Sequence, residues 1–301
     1  MGNIQYLNRS TGKVEVEDVY GEKWLRFTYE SSVGKFFLWS LVKRKLFSSW
    51  YGALANRKKS KEKILPFIQK FKVDEKEFLA PTESFLTFNE FFYRKLKKSS
   101  RPISSDEKSI VFPADGRHLG FQNISKMERI FVKGQEFNLP KLFDSKGKAS
   151  KYEDGTLVIS RLCPVDYHRF HFPYGGNFKS PHLINGNYLS VNPIALKKNI
   201  AIFWENKRSL SFLETENLGQ IAIFAVGATC VGTIHYSSEI ERVVKKGDEL
   251  GYFAFGGSCI LTFFEKNKVT LSDDLVNASR NGIELYAKMG EEMGFVKDRP
   301  T

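Results

Sequence analysis

Gly256-Gly257-Ser258-Cys259-Ile260-Leu261-Thr262-Phe263-Phe264 sets two glycines directly before a run of apolar and small residues. Runs of this length and composition, bounded by turn residues, read as strands, so Ser258 enters a strand rather than a helix. The turn Val244-Lys245-Lys246-Gly247-Asp248-Glu249-Leu250-Gly251 leads into it, as in small barrel-like β units. Further upstream, short runs broken by Gly, Pro and Asn recur at Ile110–Phe112, Thr156–Ile159, His182–Ile184, Ala201–Trp204 and Gln220–Cys230. Together they predict a twisted, mostly antiparallel, barrel- or sandwich-like β domain over residues 105–301. A last helix is expected from Ser272 as N-cap to about Met289, with Asp273 and Asp274 where the helix dipole favours acids.

Before this region the character is helical and basic, which gives an α+β class and a boundary at 104/105. Thr87-Phe88-Asn89-Glu90 has the capping-box spacing and predicts a helix Phe88–Lys97, ended by Ser99-Ser100-Arg101-Pro102. Residues 1–30 read as a strand or loop lead-in. Over residues 33–55, Phe, Trp and Leu are interrupted by Lys35, Lys43, Arg44 and Lys45, and the longest uncharged run is eleven residues, Leu46–Asn56. That is too short to span a bilayer. Such a helix can lie among lipid headgroups, or pack on the protein's own core, and both readings stand.

With 301 residues and 42% apolar side chains, the chain can bury a substantial core. Its net charge is +12, and residues 33–76 alone carry twelve Lys/Arg against three acids. An anionic partner follows, either nucleic acid or an acidic membrane surface. Three scattered cysteines, Cys163, Cys230 and Cys259, suggest neither a disulfide framework nor a zinc site, and fit a reducing, cytosolic setting. No secretory signal is expected in the polar first thirty residues, and Tyr6 spoils a myristoylation signal.

Three elements carry candidate chemistry. Pro113-Ala114-Asp115-Gly116-Arg117 places a carboxylate at a strand end. Asp166-Tyr167-His168-Arg169-Phe170-His171-Phe172-Pro173 holds two of the five histidines, and the third element is Ser258. A metal site of His168, His171, Asp166 and Cys163 lacks a third strong ligand in register, so no metal is expected. Asp115, a histidine and Ser258 can form an orienter, a base and a nucleophile. Ser258 then attacks either an external ester, as in a membrane-lipid esterase, or the unshielded carbonyl before it, which makes Gly257-Ser258 a self-cleavage site. The absence of a Gly-x-Ser-x-Gly elbow speaks against the esterase.

With Thr87-Phe88-Asn89-Glu90-Phe91-Phe92, Leu189-Ser190-Val191-Asn192, Val226-Gly227-Ala228-Thr229 and Gly256-Gly257-Ser258 added, the chain from about Thr87 to Phe264 resembles the phosphatidylserine decarboxylases of the membrane-associated, pyruvoyl-dependent kind. Cys259 departs from the family's usual threonine without touching the scissile bond. The resemblance implies a proenzyme, or zymogen, that cuts itself between Gly257 and Ser258. His171, made more basic by Asp115, would take the Ser258 hydroxyl proton. Ser258 would end as a covalent pyruvoyl group on a short chain, 258–301, paired with a long chain, 1–257, as a heterodimer. This carboxy-lyase would then convert phosphatidylserine to phosphatidylethanolamine, a step of phospholipid biosynthesis, through an imine, with His168 assisting decarboxylation or proton transfer. It also implies a peripheral enzyme on the cytoplasmic side of the cell membrane, held by anionic lipid and not by nucleic acid.

Overall fold

The computed structural model describes residues 4–18, 27–28, 31, 53–125, 137–228, 234–237, 240–254, 256 and 258–297. Of the expected amphipathic segment at 33–55, all but 53–55 lies outside the described residues. No helix among the described residues is long and apolar enough to cross a membrane.

The class is α+β, with β1 (Gln5–Asn8), β2 (Lys13–Val16), β3 (Ser109–Val111), β4 (Gly116–Phe121), β5 (Thr156–Leu162) and β6 (Arg169–His171) in the first half. There follow β7 (Gly176–Ile184), β8 (Arg208–Thr215), β9 (Gly219–Gly227), β10 (Ile234–Tyr236) and β11 (Arg242–Val244). The last are β12 (Glu249–Phe253), β13 (Ser258–Phe264), β14 (Val269–Leu271), β15 (Glu284–Ala287) and β16 (Glu292–Val296). Ten of them form one sheet in the order β11-β7-β8-β9-β13-β5-β4-β15-β1-β2, while β10-β12-β6 and β14-β16-β3 form two small sheets. Every strand pairing described is antiparallel except that of β1 with β15.

The central strand β13 is buried along its whole length because the large sheet is covered on both faces. Side chains alternate across a strand. Cys259, Leu261 and Phe263 therefore join Ile159 and Phe224 in one core, and Ile260 and Phe264 join Val158, Leu162 and Ile223 in the other. The second core also holds Phe170 of β6 and Phe253 of β12. Ser258 shares the face of Ile260, so it looks toward the layer that carries the histidines.

A third core, built from Ile64, Phe67, Phe78, Phe85, Phe88, Phe91 and Phe92, lies in the chain before residue 104. Its helices are α1 (Ile64–Phe71) and α2 (Phe88–Phe92). The Thr87 cap forms as expected, accepting from the Glu90 N–H at 3.1 Å, while Glu90 reaches back to the Leu86 N–H at 2.7 Å. However, α2 stops at Phe92 rather than Lys97, because residues 95–97 turn to bond residues 77–79 through Leu79 N–H to Lys95 O and Lys97 N–H to Glu77 O. The lead-in strands β1 and β2 join the large sheet across that same boundary.

Two other expectations are corrected. Ala201–Trp204 is not a strand but the start of a short helix, α3 (Ile202–Glu205). Asn199 Oδ1 accepts from the Ala201 N–H at 3.0 Å and turns the chain into a helical path before the apolar run begins. The closing helix, α4 (Asp273–Arg280), ends well before Met289, since Gly282 takes a positive φ of 69° and the chain leaves as β15.

Candidate active site

The histidine segment is held between two neighbours. On one side the His171 N–H donates to the Pro113 carbonyl at 2.7 Å, which seats it beside the Ala114-Asp115 turn. On the other, β6 pairs with β12, and the Phe253 N–H donates to the His168 carbonyl at 3.0 Å. From Phe253 only four residues lead to Ser258, and the Gly256 backbone lies near the His168 ring. Gly256 in that connection has a φ of 140°, a backbone state that side chains disfavour. Gly257, the other half of the expected cleavage site, lies outside the described residues.

Ser258 itself is fully buried, and its Oγ has no hydrogen-bond partner. Nε2 of His168 and Nε2 of His171 share that condition. In each ring the other nitrogen is occupied. Nδ1 of His168 lies 3.0 Å from the Asp166 carbonyl, and Nδ1 of His171 lies 2.9 Å from the Gly247 carbonyl. A carbonyl only accepts, so Nδ1 carries the hydrogen in both and Nε2 is left as a free lone pair.

Burial keeps both rings neutral. It pushes His168 down to about 3, against the Asp166 carbonyl and aided by the Arg94 charge, with the Gly256 backbone close enough to oppose it without a well-formed bond. His171 is also lowered by burial, while the Gly247 carbonyl, Glu249 and Asp115 pull the other way. The Phe92 ring lies on His168, centroids 3.8 Å apart.

Asp115 is near but differently engaged than expected. It does not hydrogen-bond His171. Its carboxylate takes the Arg101 Nε at 2.8 and 2.9 Å and the Met289 N–H at 2.9 Å, and Arg101 Nη2 also bonds it. Arg101 reaches on to Glu77 at 2.9 Å. The orienting contact on His171 is thus the Gly247 carbonyl, and Asp115 reaches that ring through its charge alone. Sequence reasoning missed Arg101, whose only visible role was to precede a proline, and it read Gly247 only as part of a turn.

Asp166 and Cys163, the other members of the metal reading, belong to a buried ion network. Arg117 Nη1 bonds Asp166 at 2.8 Å, Asp166 takes the Cys163 N–H at 2.6 Å, and Arg161 bridges Glu17 to Glu284. Among the described residues no group of three or more His, Cys, Asp or Glu is placed to hold a metal ion.

Residues 88–295 match the family model described as phosphatidylserine decarboxylase. A phosphatidylserine decarboxylase proenzyme of Fusobacterium nucleatum subsp. nucleatum is 47% identical over 98% of each chain. Proteins of the same description from Clostridium kluyveri and Desulfitobacterium hafniense are 44% and 43% identical, over 97% of this chain and 99% and 98% of theirs.

Proposed function

From the premise that the chain belongs to the phosphatidylserine decarboxylase family, we propose that it is a self-processing proenzyme of a carboxy-lyase acting on phosphatidylserine, cut between Gly257 and Ser258. The observation that carries this reading is the Ser258 hydroxyl, fully buried and unpartnered behind Gly256. Its own preceding carbonyl is always in reach, whereas no Gly-x-Ser-x-Gly elbow presents it to an external ester. The esterase reading gains nothing from this geometry.

The base is a neutral imidazole. Nε2 of His171, its tautomer fixed by Gly247, takes the Oγ proton. Oγ then adds to the Gly257 carbonyl carbon, the amide nitrogen leaves with the proton, and the peptide becomes an ester. Removal of the Ser258 Cα proton breaks the Cβ–O bond and releases the Gly257 carboxylate. One water then replaces the nitrogen, which departs as ammonia. The orphaned Oγ and the two free Nε2 lone pairs suit the formation of a pyruvoyl group here. Its carbonyl supplies the electron sink that loss of CO₂ from an α-amino acid requires. His168, beside Gly256 and covered by Phe92, is assigned to the proton at the substrate carbon.

Residues 1–104 are the membrane-associating part in this reading, and 105–301 carry the chemistry. The basic segment would hold the enzyme peripherally on an anionic, cytoplasmic membrane face. Intact mass under denaturing conditions tests the processing. Two species divided before Ser258, the shorter lighter than its serine form, are expected. Ser258→Ala and His171→Ala should stay at 34.6 kDa, whereas His168→Ala should be cut and turn over poorly. A wild-type chain that remains whole on incubation refutes the proposal, and normal cutting of His171→Ala refutes the choice of base.

A further inference from the structure

Arg94 is buried, yet no carboxylate among the described residues neutralises it. Among the described residues it forms no ion pair, its Nε has no partner, and the one hydrogen bond of its side chain is a long one, Nη1 to the Phe91 carbonyl at 3.4 Å. Its guanidinium rests on the Phe78 and Phe91 rings, 5.0 and 4.9 Å from their centroids. Taking a cation out of water without an anion costs several kcal/mol. Burial in fact lowers its affinity for a proton, to about 10, in spite of the more distant Asp115. By contrast Arg101, Arg117, Arg161 and Arg169 all hold carboxylates.

Its position brings this unpaired charge near His168. Two residues earlier Phe92 covers His168, and the Tyr93 carbonyl takes Arg169 Nε at 2.9 Å, next to His168 in the chain. The charge of Arg94 acts on the His168 ring, so the uncompensated fork lies near His168, on the side formed by α2. We propose that Arg94 binds the phosphodiester of the lipid headgroup and so sets substrate specificity, an inference that rests on the function proposed above.

The headgroup has two anions, and the chemistry selects between them. The carboxylate loses its charge as CO₂ leaves, so an arginine held on it would stabilise the ground state and raise the barrier. The phosphodiester keeps its charge throughout, a few bonds from the reacting carbon, and a planar guanidinium matches its oxygens. Apolar surroundings such as Phe92 are left for the carboxylate.

The test uses processed full-length enzyme and three soluble amines: glycerophosphoserine, glycerophosphoethanolamine and L-serine. Capture of each by the short chain is fixed with borohydride, and the half-saturating concentration is read from the mass added. Arg94→Met should weaken both phosphodiesters about 10- to 100-fold, as for loss of a charged hydrogen bond, and leave L-serine within about twofold. Arg94→Lys, which keeps the charge and the stem, should fall between and serves if the methionine chain fails to fold. Weakening of glycerophosphoserine and L-serine but not of glycerophosphoethanolamine assigns Arg94 to the carboxylate and overturns the proposal. Equal loss on all three, or none, makes it a structural residue and also overturns it. Wild-type enzyme that captures no amine refutes the proposed function instead.

Discussion

Acid should destabilise this protein through the same buried ring that faces the chain before Ser258. His168 has an ordinary value of 6.5 when unfolded and about 3 when folded. Between those two values the unfolded chain binds a proton that the folded chain refuses. The contribution is therefore fully present above pH 6.5 and is lost as pH falls toward 3. Linkage gives the size: by pH 5 the loss from this one group amounts to about 2 kcal/mol relative to pH 7. The perturbation is His168→Gln, which cannot charge, made in a Ser258→Ala chain so that processing does not complicate unfolding. Urea unfolding followed by tryptophan fluorescence at pH 7 and pH 5 yields the pH-dependent loss for each chain. His118 is lowered to about 3 by the same cause, but it is present in both chains and cancels in the comparison. The parent should lose about 2 kcal/mol more than the glutamine variant over this interval. Equal losses would mean that His168 is not buried as a neutral ring, and the proton transfer assigned to its free Nε2 would fall with it.

Replacing Arg101 by Met should lower stability by about 3–5 kcal/mol, because it strands the buried Asp115 carboxylate, and adding Asp115→Asn should recover part of that loss; denaturant midpoints read both. A gain rather than a loss in the single variant would refute the ion pair as a source of stability. At Gly116 an added Cβ would meet the Arg161 carbonyl oxygen, a backbone atom that cannot swing aside, at 2.5 Å. Gly116→Ala should therefore push β4 off β5 beside Asp115 and slow appearance of the short chain, and unchanged cutting kinetics on a time course of denaturing gels would refute this.

What the sequence made legible was what side chains announce. The apolar run Ser258–Phe264 is the strand β13 with the same ends, since seven consecutive buried residues leave the chain few other ways to satisfy its backbone. The Thr87 cap is local too, completed within three residues by Glu90. Where the readings of the site failed, the deciding partner was either a backbone group or far away in the chain. Gly247 orients His171 through a carbonyl, which every residue possesses and no residue type betrays. Arg101 holds Asp115 across 14 positions, and the early end of α2 is set by pairing with another segment that local propensity does not contain. The histidine pair was visible as an unusual density of one residue type. Which nitrogen of each ring is free became visible only with the carbonyls in place.

The place of Ser258 in the large sheet also decides what a cut before it leaves behind. The residues after it supply β13, seated between β9 and β5, and β15, seated between β4 and β1. Both are interior strands, at two separate positions. Cleavage at a strand's first residue would cost the ladder no more than the bond of the departing Ser258 nitrogen, so the two polypeptides would stay threaded through one another and part only on unfolding. Their association should be insensitive to dilution. The new chain end, unlike most termini, would be a fixed point: its first residue is paired with Leu162 on one side and Gly227 on the other. A group made from that residue inherits the stiffness of the sheet's centre, which spares it the positional freedom that a terminus ordinarily has.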